Sequence, residues 1–307
     1  MTSIVLTEKL SRRYGNLKAV NSVHLDVSQG EIYGFLGLNG AGKTTTIRML
    51  LGMIRPSDGR VFLFGRRIEP GSSFSWNDVG HLVEIPYAYP SLTVRENLEI
   101  FRRLRFLKER NVVNEVIEKL QLGSYADIKA RNLSLGNSQR LGLAKALMHK
   151  PRLLILDEPA NGLDPYGIVQ IRELLLDLSQ NHGVTIFVSS HILGEIAKFA
   201  SRIGIIHDGR MIQDTDTAQL KNNITRVLRA DTSNNAGAAR ILKNLFRKLN
   251  ITENGSIEIA DPEALNHPER VSEILVSEGL PPKRLVVEEE DLEHYFFRIL
   301  RENSKSL

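Results

Sequence analysis

Along the first 210 residues, short apolar runs alternate with longer stretches whose apolar positions recur every three or four residues. SIVLTEKLSRRYG, KAVNSVHLDVSQG and EIYGFLG have strand character and open the chain as β structure. A glycine-rich turn and the apolar helix TTTIRMLLGMI follow, and strand VFLFG comes after the turn PSDG. From about Val83 to Lys150 the pattern becomes mostly helical, through TVRENLEIFRRLRFL, ERNVVNEVIEKLQL and NSQRLGLAKALMHK. Strand RLLILDE, helix IVQIRELLLDLSQ, strand GVTIFVSS, helix HILGEIAKFA and strand RIGIIHDG close the series. Strands alternating with helices predict an α/β domain built on a parallel sheet, with a helical subdomain at about 84–150 inserted in it.

Beyond residue 219 the texture changes. ITRVLRA, GSIEIA and RLVVEEE read as strands; AGAARILKNLFRKL, HPERVSEILVSEGL and DLEHYFFRIL read as amphipathic helices. The expected division is therefore 1–219 for the main domain and 220–307 for a small accessory α/β domain. The acidic run at 288–291 reads as a solvated turn capping the last helix. That helix's apolar face suggests packing on the core or on a twin tail, in a regulatory or dimer-stabilising role.

Composition narrows the function classes. The net charge of +4 is scattered, which describes a solvated surface and predicts no nucleic-acid partner. With no cysteine, disulfides and thiolate metal sites are excluded. No apolar run approaches bilayer-spanning length, and the first residues lack a signal-peptide layout, so a cytoplasmic location is expected. If the protein works at a membrane, another chain supplies the spans.

The chemistry concentrates in three stretches. GLNGAGKTT, residues 37–45, follows an apolar strand and opens a helix, the context that gives a phosphate loop its meaning. Gly37, Gly40 and Gly42 let backbone amides curl around phosphate oxygens, with Asn39, Ala41 and Thr45 in the same cradle. Lys43 is placed to reach the β- and γ-phosphates of ATP, and the Thr44 hydroxyl to bind Mg²⁺. LLILDEP, residues 153–159, puts two carboxylates at the end of a buried strand. Asp157 suits Mg²⁺, held through its water shell, and Glu158 suits orienting or deprotonating an attacking water. SSH, residues 189–191, ends a further apolar strand. His191 there is either structural or positioned to touch the γ-phosphate and its water. Tyr14 in RRYG offers a flat face for adenine, or else is an edge tyrosine. In LSLGNSQR, residues 133–140, Ser134 reads as a helix N-cap and Gly136 as a close-approach position, together an anion seat.

In this order the motifs resemble the nucleotide-binding subunit of ABC transporters over roughly two-thirds of the chain. GLNGAGKTT looks like the Walker A loop, LLILDEP like Walker B, and LSLGNSQR like the signature, with Leu135 and Asn137 replacing the usual glycine and glutamine. NGLD, ending at Asp164, looks like the D-loop, His191 like the switch histidine, and Tyr14 like the A-loop aromatic. Glu84 stands where the family has a glutamine; it can accept from Mg²⁺-bound water but cannot donate. That glutamate, the SLG form of the signature and the tail DLEHYFFRIL resemble the bacitracin-resistance and lantibiotic-immunity branch of exporters. The resemblance implies a P-loop NTPase core of the ABC type. It implies ATP and Mg²⁺ as cofactors and a head-to-tail homodimer. In that dimer, Ser134 and Gly136 of one copy face the nucleotide held by the other. It further implies a separate integral-membrane permease, docked near Glu84 and the aromatic loop IPYAYP. The protein is then a peripheral ATPase at the inner face of the membrane. A non-transport ATPase acting on ribosomes or DNA complexes is the competing reading, and a pure binding module is disfavoured by Glu158 and His191 together.

Overall fold

The computed structural model describes residues 2–71, 74–84, 87–252 and 254–304, and the chain divides into two compact units, Met1–Ala218 and Gln219–Leu307. The first unit opens with β1 (Ser3–Tyr14), β2 (Leu17–Ser28), β3 (Ile32–Leu36), α1 (Lys43–Leu50), β4 (Asp58–Leu63), β5 (Arg66–Arg67) and β6 (Val79–Leu82). Helices α2 (Val94–Leu104), α3 (Val112–Lys119) and α4 (Leu135–Leu147) follow. Then come β7 (Leu153–Leu156), α5 (Pro165–His182), β8 (Thr185–Ser190), α6 (Leu193–Ile196), β9 (Arg202–His207) and β10 (Arg210–Asp216).

A six-stranded sheet in the order β10-β9-β3-β8-β7-β6 carries the chemistry-bearing loops. Its pairings are parallel except at the β9–β10 edge. Strands covered on both faces read as unbroken apolar runs, which is why IYGFL and LLIL are buried at every position. A four-stranded antiparallel sheet, β2-β1-β4-β5, completes the core. Tyr33 stacks on Phe187 with ring centroids 5.5 Å apart, and Phe35 packs on the same ring at 5.3 Å. Ile47, Met49 and Leu50 bury one face of α1 in this core. At about 1.5–3 kcal/mol for each such side chain, the helix that opens the phosphate loop is firmly anchored.

Three strands of the first unit lie outside the sequence expectation, the two-residue β5 among them, as does β12 (Leu249–Ile251) of the second, where the helix before it ends at Lys243. RIGIIHDG does not close the series: Asp208 and Gly209, at φ 45° and 75°, form a two-residue turn that returns the chain as β10. β6 is also additional, and only four residues long. Its Gly80 is required by close packing, since a Cβ there would lie 2.2 Å from the Ala146 carbonyl of α4. The stretch HILGEIAKFA forms only the short helix α6 before the chain turns into β9.

The helical insertion is fixed at its first turn. Thr93 and Glu96 make a capping box, worth about 1 kcal/mol, at the start of α2. Buried Asn97 accepts from the Tyr89 amide at 2.8 Å and donates to the carbonyls of Tyr89, Leu92 and Thr93, pinning the preceding loop.

After α7 (Thr217–Asn222), the second unit contains β11 (Arg226–Asp231), α8 (Asn235–Lys243), β12 (Leu249–Ile251), β13 (Ile257–Ile259), α9 (Pro262–Asn266), α10 (Pro268–Ser277), β14 (Arg284–Glu289) and α11 (Leu292–Ser304). The antiparallel order β12-β13-β11-β14 makes it a split βαβ plait, with α9 as an extra turn. Leu228, Ala230, Leu242, Ile257, Val271 and Leu275 share its own core. The acidic run is not one solvated turn. Glu288 and Glu289 belong to β14, and Glu290 is clamped by Arg298 at 2.8 Å and by Thr225. Only Asp291 caps α11, accepting from the Glu293 and His294 amides.

Candidate active site

The phosphate loop leaves the C-terminal end of β3 and enters α1 through Gly42, whose φ of 109° suits glycine. A Cβ on Gly42 would also lie 2.5 Å from the Ala19 carbonyl of β2. Ala41 is tied on both sides, by its amide to Leu38 O and by its carbonyl to Gly209 N, while Asn39 and Gly40 lie exposed at the tip. Thr45 stands in the first turn of α1, and the next residue, Thr46, donates back to Gly42 O at 2.9 Å.

Lys43 is buried, and its ammonium is satisfied locally. Nζ donates to Gly37 O at 2.7 Å and to Leu38 O at 3.3 Å. The Glu158 Oε1 atom lies 3.2 Å from Nζ, a Coulombic contact without the alignment of a hydrogen bond. The other Glu158 oxygen meets His191 Nδ1 at 2.8 Å. Glu158 itself has φ 49°, a left-handed conformation uncommon outside glycine, asparagine and aspartate.

A second chain of contacts runs beside this one. Thr44 Oγ1 donates to Asp157 Oδ2 at 2.7 Å, and Ser189 Oγ donates to Asp157 Oδ1 at 2.6 Å. The Glu158 amide donates to the same Ser189 oxygen at 3.0 Å. The structure therefore brings together Lys43, Thr44, Asp157, Glu158 and His191. Ser189 joins them unforeseen; the signal was the first serine of SSH, a polar residue at the end of a fully apolar strand.

Other residues read from the sequence are placed elsewhere. Tyr14 lies at the end of β1, partly exposed, with the Arg12 guanidinium over one ring face at 4.6 Å. Ser134 is the N-cap of α4 and accepts from Asn137 N at 3.2 Å. Gly136 packs on the Gly162 carbonyl and Leu163, and Gly162 lies under the Leu135 side chain. The Asp164 carboxylate is used to cap α5, accepting from Gly167 N at 2.8 Å. The stretches around Ser134 and Asp164 thus form one exposed-to-half-buried patch on the chain.

Glu84, at φ 58°, is ion-paired with Arg48 of α1 and is about half exposed. The pair borders a groove of about 380 Å³ that also takes in Tyr87, Tyr89, Phe101 and Leu104. Tyr87 and Tyr89 meet edge to face at 5.6 Å, and Tyr87 is 75% exposed. Lys145 donates to Tyr87 O at 2.7 Å, and burial lowers its pKa to about 8. Ile85 and Pro86 of the aromatic loop lie outside the described residues.

Residues 20–161 match the family described as ABC transporter. The chain is 37% identical, over 98% of both proteins, to the bacitracin transport ATP-binding protein BcrA of Bacillus licheniformis. It is 34% identical to the lantibiotic transport ATP-binding protein SrtF of Streptococcus pyogenes, over 68% of this chain and 89% of that one. In fold it is similar to an ATP-binding cassette solved as a dimer with ADP and Pi. The TM-score is 0.64 at 23% identity, covering 70% of this chain and 99% of that one. Among the described residues, no helix is long and apolar enough to cross a membrane.

Proposed function

The chain belongs to the ABC transporter family as an ATP-hydrolysing, ATP-binding subunit, and from that premise we propose that it drives export of bacitracin-like or lantibiotic-like peptides through a separate membrane permease. The observation that carries the chemical part is the position of Glu158, its carboxylate held between Lys43 and His191 beside the phosphate loop.

The loop amides and the positive end of α1 receive the phosphates of ATP. Lys43 then exchanges its Glu158 contact for phosphate, which frees Glu158 to take the proton of the attacking water. His191 steers that carboxylate through Nδ1. The Thr44 hydroxyl and the Asp157 carboxylate, hard oxygen donors 2.7 Å apart, fit Mg²⁺, which when bound neutralises charge on the phosphates. Glu84, engaged by Arg48, is at most a water-mediated contributor.

One phosphate loop and one signature per chain imply two half-sites. Two copies related by a two-fold axis complete each other: Ser134, Gly136 and Asp164 of one copy cover the nucleotide on the other's Lys43. ATP supplies the contacts that close this pair, and hydrolysis removes them. Tyr14, partly exposed, contributes a ring face to adenine. The groove beside Glu84 receives the permease, which places the protein at the cytoplasmic face of the membrane.

The test combines cell and protein. Deleting the coding sequence should raise sensitivity to bacitracin or a lantibiotic, wild type should restore resistance, and Glu158→Gln should not. Resistance restored equally by Glu158→Gln would overturn the motor assignment.

A further inference from the structure

We infer that Ser189 is the positioning residue that holds Asp157 and Glu158 in fixed relation, setting one carboxylate for the divalent cation and the other for water. The inference rests on the roles proposed above for those two acids.

The β7–β8 ladder pairs Leu156 with Val188 and goes no further. One residue on, the Ser189 side chain takes over where backbone pairing stops. Its hydroxyl, fully buried, has one proton and two lone pairs. A carboxylate can only accept and an amide N–H can only donate, so both bonds have a determined direction. The proton goes to Asp157 Oδ1 at 2.6 Å, and a lone pair receives Glu158 N–H at 3.0 Å. With Thr44 on Oδ2, Asp157 is held at both oxygens and cannot swing about its carboxylate axis.

The Glu158 bond bears on strain. A non-glycine residue at φ 49° persists where its surroundings over-determine it, and the Ser189 oxygen is one such restraint. Ser189 therefore spans the peptide linking the two acids: it orients the side chain before that peptide and the backbone after it. The same strand end also holds the phosphate loop, since Gly37 N donates to Ser190 O at 3.3 Å, and it carries His191.

Ser189→Ala removes both bonds while leaving the strand apolar. In the full-length protein we expect kcat for ATP hydrolysis to fall roughly tenfold to a hundredfold, with KM for ATP within twofold of wild type. A second readout avoids turnover. In the Glu158→Gln background, the Mg²⁺ concentration that half-saturates binding of a fluorescent ATP analogue should rise at least about fivefold on adding Ser189→Ala. Binding in EDTA should stay unchanged, while the melting temperature falls by roughly 2–10 °C for the two buried hydrogen bonds lost. Ser189→Thr, which retains the hydroxyl, should return the Mg²⁺ midpoint to within about twofold. An alanine variant with the wild-type kcat and Mg²⁺ midpoint overturns the inference. So does one whose kcat and EDTA binding fall together, because that describes a structural role. Wild-type turnover by Asp157→Asn and Glu158→Gln would instead sink the underlying assignment, whatever Ser189 does.

Discussion

Glu158 occupies a backbone conformation that costs a non-glycine residue of order 1 kcal/mol or more, and it does so with its carboxylate held between Lys43 and His191. Replacing it by glutamine keeps the shape and removes the base proposed above. Hydrolysis should drop by about 10²–10⁴, while ATP with Mg²⁺ stays bound and a dimer accumulates on size exclusion with light scattering. Gly42 is constrained in a different way, by φ 109° and by the Ala19 carbonyl. Gly42→Ala should lower stability by about 2 kcal/mol or more, read as a lower melting temperature, and abolish nucleotide retention. At this scale most of the cluster was legible, because phosphate chemistry demands particular residue types at fixed spacing. Ser189 was not, since its importance depends on which residues a neighbouring strand brings opposite it. Nor does spacing reveal that the Asp164 carboxylate caps its own helix or that Arg48 engages Glu84.

Among the elements, the contact between the end of α4 and β6 is pH-sensitive. His149 Nε2 donates to Val79 O at 3.0 Å, and burial, reinforced by nearby Arg105, lowers its pKa to about 4. The unfolded chain takes up that proton near pH 6.5 and the folded chain only near 4, so stability falls as pH drops through this interval. The slope from this one group is at most about 1.4 kcal/mol per pH unit. Denaturant melts at pH 7, 6, 5 and 4.5 should show a shallower acid loss for His149→Gln than for wild type, and equal slopes would exclude the histidine as the source. Helices α2 to α5 and the fully apolar strands were readable from periodicity. β6 was hidden because VGHL is too short and too mixed to stand out, and only packing against α4 and β7 defines it. β10 carried an Asp-Gly turn signal before it, but its polar composition masked an edge strand.

For the molecule as a whole, the two units differ in what sequence can tell. The first is named by its motifs. The second has no motif, and its split βαβ plait emerges only from strand order. Because Leu228, Ile257, Val271 and their neighbours form a core of their own, a fragment of residues 219–307 should unfold cooperatively in isolation, checked by circular dichroism against urea. The half-site arrangement makes a separate prediction. Ser134→Arg should leave ATP binding by a single copy intact and abolish cooperative hydrolysis. Mixing it with Lys43→Ala should restore about one working pocket per pair, and wild-type turnover by Ser134→Arg alone would rule out the shared pocket.

Helix α1 is a rod of 8 residues, about 12 Å long, with three apolar residues sunk in the core. Lys43 at its tip grips the phosphate loop, and Arg48, about 7.5 Å further along, grips Glu84 at the lip of the tyrosine-lined groove. A tilt of this rod would therefore reach Glu84 only as far as a half-exposed ion pair can carry it, which makes Arg48 the looser of the two joints.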